Sequence, residues 1–196
     1  MENYILRGKL MKLCKKGAMF GLDARIALVI FGALSMISGA ALYSAIQEAK
    51  IARVVAQINE MDKALSAYHM DTGHAIPKIP TITDRLDLRE LITSTESGWK
   101  GPYFPFATTG YNLAPNYGGA ISVSYGLKDS TNTTRASCTN IESDTCGYWF
   151  EWYSLEDDIE DQIDILIDGS SDPQNGNVRI CDACGGDGVM LVLIGS

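Results

Sequence analysis

Between Ile26 and Ile46 the chain reads IALVIFGALSMISGAALYSAI, a run without one charged side chain. Coiled as a helix at about 1.5 Å per residue, such a run is about 31 Å long, the depth of one hydrocarbon core. It can therefore span a bilayer. No other part of the sequence has a comparable stretch, and the closing VMLVLI is only strand length. A cleavable secretory signal would carry a shorter apolar region, about 7 to 15 residues, ending at a small-residue site such as SGAAL.

The flanks give the run a direction. Met1 to Ala18 carries five basic residues against one acidic, and the rest of the chain eleven against twenty-three. Lys and Arg resist translocation and face anionic lipid, so the basic end is expected in the cytoplasm and the acidic remainder outside. An acidic body also argues against nucleic acid as the main partner, because phosphate contacts need clustered Lys and Arg. At 196 residues the chain has room for one domain with a core, not two.

Beyond Ile46 the sequence QEAKIARVVAQINEMDKALSAYHMD continues with neither Gly nor Pro. Ile51, Val54, Ile58, Met61, Leu65 and Tyr68 recur at steps of three and four, an apolar stripe on one helical face. The stripe suits a helix laid on its own domain and equally a coiled coil. Thr72-Gly73 and Pro77 end it. One helix from about Met19 to Asp71 is expected, roughly 80 Å long.

Just before the span stands KKGAMFGLDAR. Asp23 lies at the rim of the bilayer, where a carboxylate is costly unless a cation meets it. Arg25 points to another helical face, so a different cation is implied. These residues resemble the prepilin segment of the type IV pilin and type II secretion pseudopilin superfamily. In that family a prepilin peptidase cuts a basic leader on the cytoplasmic side, the new N-terminus is methylated, and the fifth mature residue is a glutamate, where this chain has Asp. The resemblance implies cleavage after Ala18 with methylation of Met19, which puts Asp23 at five. The alternative is a cut after Gly17, leaving Ala18 first. It further implies that the α-amino group of one subunit neutralises Asp23 of its neighbour and sets their axial register.

Two more segments are similar to the same proteins: YHMDTGHAIP at Tyr68–Pro77, where the long helix would exit, and GWKGPYFP at Gly98–Pro105, a turn that Trp99 and Tyr103 can pin to a core. Downstream, residues 120–127 alternate apolar and polar, as a strand with one solvated face would. Residues 148–153 (YWFEWY) read as a second strand, with Trp149 and Trp152 more suited to core packing than to carbohydrate or peptide binding. Leu155, Ile159, Ile163 and Leu166 or Ile167 recur at helical spacing, and a loop and a last strand pair follow. The expected fold is α+β: leader 1–18, long helix 19–72 spanning the membrane at about 26–46, and a pilin-like periplasmic domain 73–196 built on a small antiparallel sheet.

Asp168, Asp172, Asn175 and Asn177 place four oxygen donors among glycines, a set that calcium accepts and that ordinary turns also use. Cys14 falls in the leader, and Cys138, Cys146, Cys181 and Cys184 lie far downstream. Those four suit structural disulfides in an oxidising compartment, as is common in pilin C-terminal regions. Local pairing joins 138 with 146 and 181 with 184, and the two other connectivities remain open. Cys181-Asp-Ala-Cys184 also has the spacing of a redox pair or half a zinc site, without the strand-to-helix setting of the former. His69 and His74 have no recognisable partner, and neither a phosphate-binding glycine loop nor an HExxH motif occurs.

The expectation is thus a non-enzymatic filament subunit of the inner membrane, single-pass, that leaves the bilayer for a pilus or pseudopilus. Its expected partners are copies of itself and other pilin-like subunits, the prepilin peptidase, an inner-membrane assembly platform and lipid. Two other classes stand beside it: an anchored periplasmic module binding an ion or ligand at the 168–187 loop, and an anchored thiol oxidoreductase using Cys181 and Cys184.

Overall fold

The computed structural model describes residues 17–115, 119–128, 138, 145–181 and 188–195; for 17–20 and Thr83 it describes the backbone alone. The expected leader before Gly17 and Cys184 lie outside the described residues. Helix α1 runs Gly17–Thr72, 56 residues, and contains no proline. Its end is built by two neighbouring residues, Thr72 and Gly73. The Thr72 hydroxyl donates to the Tyr68 carbonyl at 2.7 Å, and Gly73, at φ 74°, donates its amide to the His69 carbonyl at 2.8 Å. The left-handed turn that closes the helix favours glycine.

The chain divides into two compact units, Met1–Glu48 and Ala49–Ser196. In the first, the described residues form one helical segment in which residues 21–46 and Glu48 are exposed and Gln47 is half-buried. This is the one helix among the described residues long and apolar enough to cross a membrane.

The second unit joins the rest of α1 to an antiparallel sheet of eight strands. These are β1 (Lys78–Ile79), β2 (Ile82–Leu86), β3 (Ala107–Thr109), β4 (Asn112–Ala114), β5 (Ile121–Leu127), β6 (Cys146–Tyr153), β7 (Val178–Cys181) and β8 (Val189–Ile194). The order is β1-β2-β5-β6-β8-β7, and the β3–β4 hairpin joins β5 beside β2. Strands β5 and β6 pair from Ile121 against Trp152 to Leu127 against Cys146. A one-turn 3-10 helix (Leu88–Leu91) and helix α2 (Asp157–Asp168) complete the unit.

The apolar stripe of α1 is covered by this sheet, which settles the choice between a coiled coil and the chain's own domain. Val54, Ile58, Met61 and Tyr68 are buried in one core with Val123, Phe150, Trp152, Met190 and Val192, and Ile51 and Leu65 pack at its margin. Burying such side chains stabilises by about 1.5–3 kcal/mol each.

Two expectations are corrected. Strand β5 has no solvated face: Ile121 to Gly126 are all buried, Ser122 and Ser124 included. The far side of the sheet carries a second apolar cluster, Trp149, Cys181, Val189 and Leu191, so alternation there marks two interiors of different polarity. In α2, Ile159 and Ile163 face the core as expected, but Leu166 and Ile167 do not continue that face. Gly169, at φ 81°, closes α2 by donating to the Ile165 carbonyl, and the last turn points outward.

Candidate functional site

Asp23 lies in the second turn of α1, exposed, with Leu22 and Ile26 exposed on either side. The Gly17, Ala18 and Met19 backbone is already helical, so both candidate cleavage junctions fall in the first turn of α1. Met19 and Asp23 are four residues apart and share a helical face. Arg25, two residues on from Asp23, makes no ion pair with it. What this segment offers chemically is one carboxylate, with Arg25 two residues on, among apolar side chains that no other described residue of the unit covers.

At the other end of α1 the segments Tyr68–Pro77 and Gly98–Pro105 meet. The Asp71 carboxylate accepts from Lys100 Nζ and from the Tyr103 hydroxyl, each at 2.9 Å. The Lys100 bond, then the Tyr103 bond, holds the Asp71 carboxyl below the usual range. Tyr103 stacks edge-on against Tyr68 and Trp99, and the Trp99 indole donates to the Glu90 carbonyl at 3.0 Å. Gly98 sits at φ 89°, and a Cβ there would run into the Asp71 carbonyl oxygen. The loop thus lies directly on the helix end, and only glycine fits.

The four expected calcium donors, from the last residue of α2 onward, make two separate sets of hydrogen bonds. Asp168 accepts from Asn177 Nδ2 at 2.9 Å and from the Val178 amide at 2.8 Å. Asp172 accepts from Asn175 Nδ2 at 2.9 Å and from the Gln174 amide at 3.2 Å. Those bonds, the Asn175 one foremost, keep the Asp172 carboxyl low. Between them lies Asp164, fully buried, whose Oδ2 accepts from the Asp172 amide at 2.7 Å and whose carboxyl burial pushes upward. Among the described residues no three His, Cys, Asp or Glu side chains converge at metal-binding distance.

Cys138 and Cys146 form a disulfide. Cys181, at the end of β7, is also disulfide-bonded and is buried in the cluster on the far face of the sheet. Trp152 lies in the main core and Trp149 under the Arg179 guanidinium, 4.5 Å from the ring centre. His69 and His74 are exposed.

A polar group escaped sequence reasoning. Glu151, fully buried, accepts from Ser122 Oγ at 2.5 Å and from the Tyr153 hydroxyl at 2.8 Å, and Arg85 Nη2 lies 3.7 Å away. Arg85 Nη2 also donates to the Tyr153 hydroxyl at 2.5 Å. Burial, followed by the Glu151 charge, pushes the Tyr153 phenol up. The group ties β2, β5 and β6 together on the far face. Its one signal was a glutamate amid aromatics in YWFEWY.

No family model, curated protein or solved structure matches the chain. Its architecture, a long apolar N-terminal helix followed by an antiparallel sheet, is compatible with a pilin-like one.

Proposed function

We propose that the chain is a filament subunit of the prepilin type, stored in the inner membrane by the first half of α1 and drawn from it into a pilus or pseudopilus. The observation that carries this reading is the division of labour along one helix. The later half of α1 is the core of a folded body, whereas Ile26 to Ile46 presents exposed apolar side chains all round. So large an apolar surface needs lipid or other copies of itself to cover it. A plain anchor accounts for the lipid. It does not account for Asp23 at the head of the same helix, nor for that helix entering the body without a break.

In this reading, removal of the leader after Ala18 frees an amine at Met19. In the filament that amine meets the Asp23 carboxylate of an adjoining copy, so that two groups costly to bury alone are buried together. Apolar helices pack in the filament core, the acidic bodies form its outer surface, and the disulfides lie on the oxidising side of the membrane. A prepilin peptidase and an assembly platform are the machinery this implies, along with other pilin-like subunits.

The experiment is Asp23→Ala in the full chain, expressed with that machinery. Membrane insertion is expected to be unchanged and sheared filaments to be lost. Filaments at the wild-type level from Asp23→Ala would defeat the reading.

A further inference from the structure

Helix α2 turns part of its usual pattern inside out. It buries Glu160 and Asp164 beside Ile159 and Ile163, and leaves Ile165 at 51% and Leu166 at 63% exposure. At 100° per residue, Asp158, Asp161 and Ile165 fall within about 60° of one another on one outward face, and exposed Leu166 flanks it, about 80° round from Asp158. Both aspartates are exposed, and Asp161 accepts from Ser171 Oγ at 3.3 Å. The result is an apolar turn beside two acids, and its complement is a small apolar floor beside a cation.

The body carries such a surface. Of its exposed cations, Arg89 is paired with Asp87 and Lys100 with Asp71. Arg53 and Lys63 of α1 remain, with no ion pair or ring contact among the described residues. Lys63 follows Glu60 by one turn and Asp62 by one residue. Arg53 instead stands among Ala49, Ala52 and Ala56, all exposed. Alanines let a second helix approach closely, and larger side chains from that helix fill the space above them. Within one copy the start of α2 is already tied to α1, Lys50 Nζ donating to Glu156 at 2.6 Å, and Asp158, Asp161 and Ile165 stay exposed.

We propose that this outward face of α2 docks on the Arg53 face of α1 in a second copy of the chain. Ile165 and Leu166 then cover Ala49, Ala52 and Ala56, and Asp158 and Asp161 face Arg53. The contact joins two different surfaces, so each added copy leaves one of each open, the geometry that generates an open filament and not a closed dimer. This contact rests on the filament reading above and adds to it a second attachment, outside the membrane helix.

The test uses the full chain, assembled with its machinery. Arg53→Glu alone, and Asp158→Lys with Asp161→Lys, are each expected to lower filament yield about fivefold or more, the factor matching about 1 kcal/mol at an exposed charge pair. The three changes together should restore it. All three positions are exposed, and unchanged thermal melting of the detergent-solubilised variants checks that the fold is kept. Ala52→Cys with Leu166→Cys should give a ladder of multimers with a bismaleimide, absent from either single variant. Unaltered yield in the charge variants, or loss without rescue and without a ladder, would overturn the contact while leaving the filament standing. A wild-type chain that never assembles would remove the filament reading and this contact with it.

Discussion

Single side chains set the acid limits of this body. Asp71 has its carboxyl lowered in the folded state by Lys100 and then Tyr103. Its contribution is fully present above the unfolded carboxylate pKa of about 3.9 and is lost as pH falls through the lower folded value. Asp71→Asn should therefore flatten the fall in Tm below about pH 4, as read by thermal melting of the detergent-solubilised chain. Asp164 has the opposite sign. Burial raises its carboxyl, so whatever stability it contributes is present below the unfolded pKa and lost as pH rises through the folded one. Asp164→Asn keeps an acceptor for the Asp172 amide and removes a buried charge, so Tm at pH 7 should rise. A fall would show that the Asp164 carboxylate is needed charged. Neither role was visible in the sequence, because both depend on partners distant along the chain: Asp71 on a loop about thirty residues away, Asp164 on the turn that folds back over α2.

Elements with a strong period were legible. The stripe of α1 was placed correctly from Val54 to Tyr68 because a sheet covers one face of a helix and little else. Strands β5, β6 and β8 were legible for a similar reason, being the longest strands and forming the middle of the sheet. The face of β5 was misjudged, since period two reports that two sides differ and not that one is wet. Strands β1 to β4 carried no signal: β1 has two residues between Pro77 and Pro80, and β3 and β4 have three each. The join between α1 and the Gly98–Tyr103 loop makes a prediction at this scale. A Cβ at Gly98 would meet the Asp71 carbonyl in a left-handed conformation, so Gly98→Ala should lift the loop and lower Tm by several degrees, on the order of 1–3 kcal/mol. In the core, Trp152→Ala should cost about 3–5 kcal/mol in a denaturant titration.

The whole molecule joins a body whose main core is covered to a helix whose apolar side chains are exposed. Between Ala49 and the C-terminus, the apolar face of α1 is covered, the disulfide of Cys138 and Cys146 is formed, and a glutamate buried in the sheet has its hydroxyl donors. Before Ala49, apolar side chains lie open along six helical turns. The sequence stated that contrast most plainly of all, through twenty-one residues without charge followed by a stripe. It could not state which surfaces meet between copies, since that depends on exposed residues such as Arg53 and Leu166 whose spacing alone carries no signal. The central claim is that this open helix becomes the seam of a polymer through a newly made amine. Mass spectrometry of the N-terminal peptide from the membrane-extracted chain tests it most directly. The account predicts a peptide beginning at Met19, or at Ala18, with one added methyl group. A chain that keeps Met1, or begins near Ala41, would contradict it.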